Sequence, residues 1–518
     1  MTRALSVQLR RIAVLAVMLA FLPHLAQPVL ARIPATDLTL AMVPEAHEQV
    51  TSQLSGAVPE YDVSATFAAA GVQPARITGA TRLHFVNFTN EPMTEIPLRL
   101  YPNAPVYDTD GMVLTAVAVD GVSVDPTMGQ DNSLALVPLT NQLPPGQSAD
   151  LEIDFVSTIP TDPNDDYAMF AYNSQSDSYN LGYWQPLLAG WTPDTGWNTG
   201  EILTRGDPVF TNIAFFSIEL TAPTSIVFAT TGIASEVSVE GESTTYHWSS
   251  GAVRDFVMIA NQAFTTLEAQ VGETLVRSFT TPDSASVAQD ALDIAVAALR
   301  FFNERVGVFP YREFDMAQSD LGPRAAGIEF PALIYISENL YTPENFSLVF
   351  TIVHEVAHQY WYNLIGNNQY QHAFLDESLA NYTAVLYLEA AYGEEVAEMA
   401  IDRYLTRTYL ATLFGNDGDA IVDQPTADFI SDLAYGRIVY GKGAIGMHQI
   451  RQAIGLEAFF AGLALYLDEH AYGVVNPVDL RTAFQEASGQ NLEALWVHWF
   501  DETNGLQDFT PDSIIEIR

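Results

Sequence analysis

The chain has 518 residues, 48% hydrophobic and 16% charged, a globular composition long enough for two to four domains of about 150 residues each. Its 63 acidic and 21 basic residues leave a net charge of −42, a surface that repels nucleic acid and anionic membrane and argues against either as a partner. With no cysteine there is neither a disulfide nor a thiol nucleophile, so metal ligands fall to His, Asp and Glu.

Residues 1–31 read as a signal peptide. Arg3, Arg10 and Arg11 give a positive start, "IAVLAVMLAFL" is an apolar stretch short for a membrane span, and "VLA" ends in the small residues a signal peptidase needs. Cleavage after Ala31 and export are expected; the alternative is an uncleaved N-terminal anchor. No membrane insertion is expected beyond this segment. The mature chain would keep 18 basic and 63 acidic residues, a balance of −45.

Residues 32–58 show no clear period and read as a lead-in. Residues 59–265 read as a mostly antiparallel β-domain. "LEIDFV" puts Leu151, Ile153 and Phe155 on one face and Glu152 and Asp154 on the other. "EVSVEGESTTYHW" reads as two strands around a Glu-Gly turn, and "LPPGQ" separates others.

From residue 266 to 518 helical periods take over. "SASVAQDALDIAVAALRFFNERVG" opens on capping-type serines and spaces Val287, Ala291, Ile294, Ala298 and Phe301 along one face. "AAGIEFPALIYIS" reads as one strand, with Pro331 placing it at a sheet edge. Helices follow to near Asn504, and "SIIEIR" closes the chain as a short strand. The whole is α+β, and without a low-complexity linker the two domains should pack closely.

"YTPENFSLVFTIVHEVAHQYWYNLIG" reads as one helix, with Thr342 as cap, Pro343 in the first turn and Gly366 as the stop. His354 and His358 then lie one turn apart on one face, a spacing that suits two imidazoles on one Zn²⁺. Glu355 flanks that face, within reach of a water whose pKa a metal has lowered. Two histidines alone are an incomplete site, equally readable as a polar patch in helical core. A third ligand has to come from another element. Glu377, in "LDESLANYTAVLYLEAAYG", opens the next long helix 19 residues after His358, and an antiparallel return would bring it back. His372 lies between the two helices and reads as an ordinary loop histidine.

These residues match H-E-x-x-H-x18-E, and the chain resembles the gluzincin zinc aminopeptidases, the group of aminopeptidase N and leukotriene hydrolase. The resemblance implies one zinc ion per chain held by His354, His358 and Glu377, with Glu355 as general base. The family's Y-x-K-G segment, whose tyrosine supports the developing oxyanion, resembles "IVYGKGAIG", implying that role for Tyr440 with Tyr435 as runner-up. Lys442 in that segment is the only lysine of the chain. The family's G-x-M-E-N edge strand resembles "AAGIEFP". There Glu329 takes the position that binds the substrate's free α-amino group and Gly327 allows close approach, while Ala326, Ile328 and Phe330 depart from the pattern.

"LHFVNFTNEPMTEIPLRLYPNA" and "VRDFVMIANQAF" resemble the family's N-terminal β-domain, and "LEALWVHWFDETNGL" the last helix of its thermolysin-like catalytic domain. A short form without the family's C-terminal helical domain is implied. "LGYWQPLLAGWTPDTGW" matches the family's F-P-x-x-D-E-P segment only loosely, which leaves the second amine-binding residue without a position. The implied function is that of an exported zinc metallopeptidase acting on peptides, with an aminopeptidase favoured. The alternatives are endopeptidase or epoxide-hydrolase chemistry on the same site, or a non-catalytic peptide-binding protein.

Overall fold

The computed structural model describes residues 39–54, 58–107, 111–163, 167–322, 325–510 and 513. The signal segment and the closing "SIIEIR" strand lie outside the described residues, apart from Ser513.

The β-domain is built on an eight-stranded sheet. In its middle, strand Glu60–Ala68 pairs antiparallel with Arg76–Val86 and parallel with Ala214–Pro223. Period-two patterning explains the register: along Ser148–Thr158 the residues Ala149, Leu151, Ile153 and Phe155 are buried, and Glu152 and Asp154 face solvent. Ile233–Glu240 and Ser243–Val253 form the expected hairpin, closed at Glu240↔Ser243 with Gly241 at φ +63°. Among the described residues, two four-stranded sheets and a two-stranded ribbon accompany it.

Strand Thr265–Val271 opens a five-stranded sheet, continued by Thr274–Thr280, Glu313–Ser319, Leu333–Ser337 and, at its edge, Gly327–Ile328. Helices pack beside it, so the α+β reading holds. The single strand expected over "AAGIEFPALIYIS" is two antiparallel strands, with Ile328 opposite Tyr335. The chain reverses through residues 329–332, where Ala332 takes φ +54° and Pro331 offers its carbonyl to Thr231 Oγ1.

Three further expectations need correction. The lead-in is not aperiodic: residues 44–54 are helical, and Met42, Val43, Ala46 and Val50 are buried, with Val43 N–H bonded to Pro310 O. The helix after residue 284 runs Ala288–Arg305 with no side-chain cap, because the serines belong to the preceding 3₁₀ turn region. Of the expected face Val287, Ala291 and Ala298 are buried and Ile294 and Phe301 half-buried, while Ala288, Leu292, Ala295, Val296, Leu299 and Phe302 widen the buried stripe to one side. The motif helix is shorter than the expected 342–366. It spans Phe346–Ala357 and is capped by Asn345, whose side chain accepts from Ser347 N–H, because Glu344 at φ +58° prevents an earlier start. After His358 the winding tightens to i−3 bonds at Gln359 and Tyr360, Tyr362 at φ +138° ends it, and the amides of Asn363, Leu364 and Ile365 reach back to i−5 carbonyls.

The two parts meet at a buried cation. Arg254, from the β-domain, donates from Nε to Tyr362 O, from Nη1 to Thr211 O and from Nη2 to Gly473 O at 2.5–3.1 Å. Asp255 beside it accepts from Thr211 Oγ1 and the Tyr362 hydroxyl. A Cβ at Gly366 would fall 2.1 Å from the guanidinium carbon, so only glycine lets the arginine through.

Candidate metal centre and cleft

The last turn of Phe346–Ala357 carries His354, and His358 follows at its C-cap with φ −64° and ψ −15°, still helical enough to keep both rings on one face. Their Nε2 atoms lie 3.0 Å apart. The return helix Phe374–Tyr392 brings in Glu377, whose Oε2 lies 3.3 Å from each of them. Donors held about 2.0–2.1 Å from one tetrahedral ion lie roughly 3.3 Å from each other, so the three atoms match a common ion to within a few tenths of an ångström. His358 Nδ1–H donates to Trp361 O at 2.9 Å, which fixes the tautomer and turns the Nε2 lone pair to the site. Burial pushes the Glu377 carboxyl up, but the neighbouring His354 and His358 rings outweigh it and hold the group well below the usual carboxylate range. Glu377 Oε2 is buried without a hydrogen bond, the state of an atom reserved for a ligand.

Glu355 sits beside these donors, buried, with Oε2 free of any hydrogen bond. Burial, followed by the charge of Glu329, raises its proton affinity, a property that suits a base. Gly327 lies directly against it: a Cβ there would stand 2.3 Å from Glu355 Oε1. Close approach was expected at Gly327, and the neighbour that requires it is the Glu355 carboxylate.

Tyr440 enters from a π-helical segment, Ile438–Gly443, a winding common at functional sites. Asn381 Nδ2 donates to Tyr440 O and Ser378 Oγ to Val439 O, tying this segment to the Glu377 helix. The Tyr440 ring stacks on His354 and its hydroxyl donates to Glu377 Oε1. Lys442 Nζ, 1% exposed on its side chain, anchors the same segment through Asp419, Ala420 O and Glu502 O. Tyr435 also faces the cleft, but its hydroxyl stands over Gly206 with no partner. His372 bonds Asp423 instead of turning to the donors.

His354, Glu355, Glu377, Tyr435 and Tyr440 line one cleft of about 1040 Å³, which also takes in Glu329. Burial pushes the Glu329 carboxyl up to about 6, with His358 opposing and Glu377 reinforcing the shift. Sequence reasoning missed Asp207, from the loop ahead of strand Ala214–Pro223. One oxygen each of Asp207, Glu329 and Glu377 lies within 4.8 Å of the others. Asp207 Oδ2 is buried without a partner, and burial, then Glu329 and Glu377, push its carboxyl well up. Acids this close repel unless a cation lies among them. The only signal in the sequence was a Gly-Asp-Pro turn between strands.

Residues 291–499 match the peptidase family M1 domain. The chain is 24% identical over 413 residues to Aminopeptidase M1-B of Oryza sativa subsp. japonica, covering 75% of this chain and 45% of that one. It is 29% identical over 227 residues to Aminopeptidase N of Lactococcus lactis subsp. lactis, covering 41% and 26% respectively. It thus spans less than half the length of these curated relatives. Its fold is similar to the M1 zinc metallopeptidase of Deinococcus radiodurans, with TM-score 0.60, 18% identity and coverage of 86% of this chain and 94% of that one. A variant of that enzyme bound to a Tyr-Ser-Ala substrate gives TM-score 0.59 at 17% identity, covering 86% of this chain and 93% of that one.

Proposed function

We propose that this chain, which belongs to the gluzincin peptidase family of aminopeptidase N, is an exported zinc aminopeptidase that removes N-terminal residues from oligopeptides. The observation that carries the reading is the convergence of His354, His358 and Glu377 beside Glu355, with Glu329 and Asp207 in the same cleft. His354, His358 and Glu377 would hold one zinc ion, which when bound supplies Lewis acidity to water and to a peptide carbonyl.

The chain's own residues do the rest. Glu355 takes a proton from the attacking water as the carbon–oxygen bond forms, and delivers it to the leaving amine as the carbon–nitrogen bond breaks. Tyr440 donates to the carbonyl oxygen as it gains charge. Glu329 and Asp207 accept hydrogen bonds from the substrate's terminal ammonium, relieving their mutual repulsion. The Gly327–Ile328 edge strand offers backbone groups for the peptide to pair with as an added strand. An acetylated terminus brings no cation to the two acids. The names of the M1 relatives and the peptide bound to the Deinococcus enzyme support this choice of substrate. Export rests on residues 1–31 alone.

The test is one peptide with a free and with an acetylated N-terminus, given to the purified zinc-loaded protein. The free form should be cut at its first bond at least about a hundredfold faster, the order lost when a site's buried charged groups are left unpaired. Equal rates, or cleavage at internal bonds, would identify an endopeptidase.

A further inference from the structure

We propose that Arg254 and Asp255 of the β-domain are positioning residues for His358, so that docking of the β-domain sets how tightly the zinc is held. The inference goes beyond the peptidase reading and rests on it only for His358 as a metal ligand. The link runs through one peptide group, between Trp361 and Tyr362. Its carbonyl accepts from His358 Nδ1–H at 2.9 Å, and its N–H donates to Ile365 O at 3.0 Å. His358 is 1% exposed, so bulk water does not replace that carbonyl as a partner.

The torsion that follows this peptide is φ of Tyr362, at +138°. That region is sparsely populated for any residue with a Cβ, and a bulky ring stays there only where its surroundings impose it. The β-domain imposes it from two sides. Arg254 Nε donates to Tyr362 O at 2.5 Å, and Asp255 accepts from the Tyr362 hydroxyl. The guanidinium is fixed in turn by Thr211 O and Gly473 O, and Asp255 by Thr211 Oγ1. All three side chains, of Arg254, Asp255 and Tyr362, are buried. Released, Tyr362 would relax to negative φ, and the peptide ahead of it would swing. Trp361 O would then turn away from His358. The Trp361 ring stays behind, because it is buried and its Nε1 donates to Thr383 Oγ1 at 3.2 Å on the helix that carries Glu377. The imidazole loses the acceptor that fixes its tautomer and the aim of Nε2. Linkage makes the effect reciprocal: zinc favours the docked β-domain by the factor by which docking favours zinc.

Chelator competition on the purified full chain measures zinc affinity without turnover. Arg254→Lys keeps a charge beside Asp255 but cannot bond three carbonyls in fixed directions. Its zinc Kd should rise at least about tenfold, the lower end for loss of an outer-shell partner. The stabilisation that saturating zinc gives against denaturant should shrink by about 1.4 kcal/mol for that tenfold change. Tyr362→Phe keeps the ring, is the milder change, and should weaken zinc at least about threefold; it decides the question if Arg254→Lys does not fold. Arg277→Lys is the control. It disturbs another buried ion pair, with Asp315 at 2.8 Å, that bonds none of the metal donors, and should leave zinc affinity as in the parent. Parent-like affinity in folded Arg254→Lys or in Tyr362→Phe, or an equal loss in Arg277→Lys, overturns the inference and leaves the metal centre standing. A parent chain that binds no zinc overturns both.

Discussion

Gly327→Ala tests whether Glu355 acts as the base from the position seen. The added methyl would stand 2.3 Å from Glu355 Oε1 and 2.6 Å from its Cδ and Cγ. Non-bonded carbons settle at about 3.5–4.0 Å, so the carboxylate has to retreat by about 1 Å. Gly327 is not in the left-handed region, so alanine adds no backbone strain, and its strand pairing with Ile336 can persist. Displacing a reacting group by about 1 Å costs on the order of a hundredfold in rate, equivalent to about 2.7 kcal/mol of barrier. The variant should keep its zinc and its melting temperature while kcat on an oligopeptide falls about a hundredfold. In a Glu355→Gln background, itself zinc-retaining and nearly inactive, Gly327→Ala should add little, because both changes act on one group. Full activity of the single variant, or an undiminished further loss in the double variant, would refute the reasoning.

Tyr440→Phe should lower kcat by roughly two to three orders of magnitude with little change in KM, since its hydrogen bond strengthens only as charge develops; full activity there with loss in Tyr435→Phe would move the role to Tyr435. Glu329→Ala should cost about one to two orders of magnitude in kcat/KM on free peptides and leave acetylated ones little changed, read by parallel kinetics. Asp255 gives a pH prediction away from the cleft. Burial pushes its carboxyl from 3.8 up to about 6, so the stability contributed by its protonated form is present below about pH 4 and lost as pH rises through about 6. Asp255→Asn removes that dependence. Denaturant unfolding should show the variant gaining about 2.4 kcal/mol on the parent between pH 4 and pH 7, and a pH-independent difference would contradict it.

The convergence of His354, His358 and Glu377 was legible because its geometry is local: one helical turn separates His354 from His358, and one loop and a return helix restore Glu377. The β-strands were legible wherever burial alternates, as from Leu151 to Phe155. The bounds of the motif helix were not, because Asn345 competes with Thr342 as cap and the positive φ of Glu344 arises only in the folded turn. The inward face of Ala288–Arg305 is broader than the expected stripe and leaves Ile294 and Phe301 at its margin, because alanines around the helix leave its apolar direction ill-defined. Asp207 escaped notice because its role depends on a β-domain loop meeting a distant sheet edge, and no spacing in the chain encodes that distance. Arg254 was hidden for the same reason: its three carbonyl partners come from residues 211, 362 and 473.

Zinc content measured together with turnover addresses the central claim most directly. The purified protein should carry about one zinc per chain; a chelator should remove metal and activity in step, and added zinc should restore both. Glu377→Gln should retain less than the parent under the same dialysis. A pure, folded protein that binds no zinc, or one that cleaves peptides unchanged after the metal is stripped, would contradict the assignment of His354, His358 and Glu377 as its ligands.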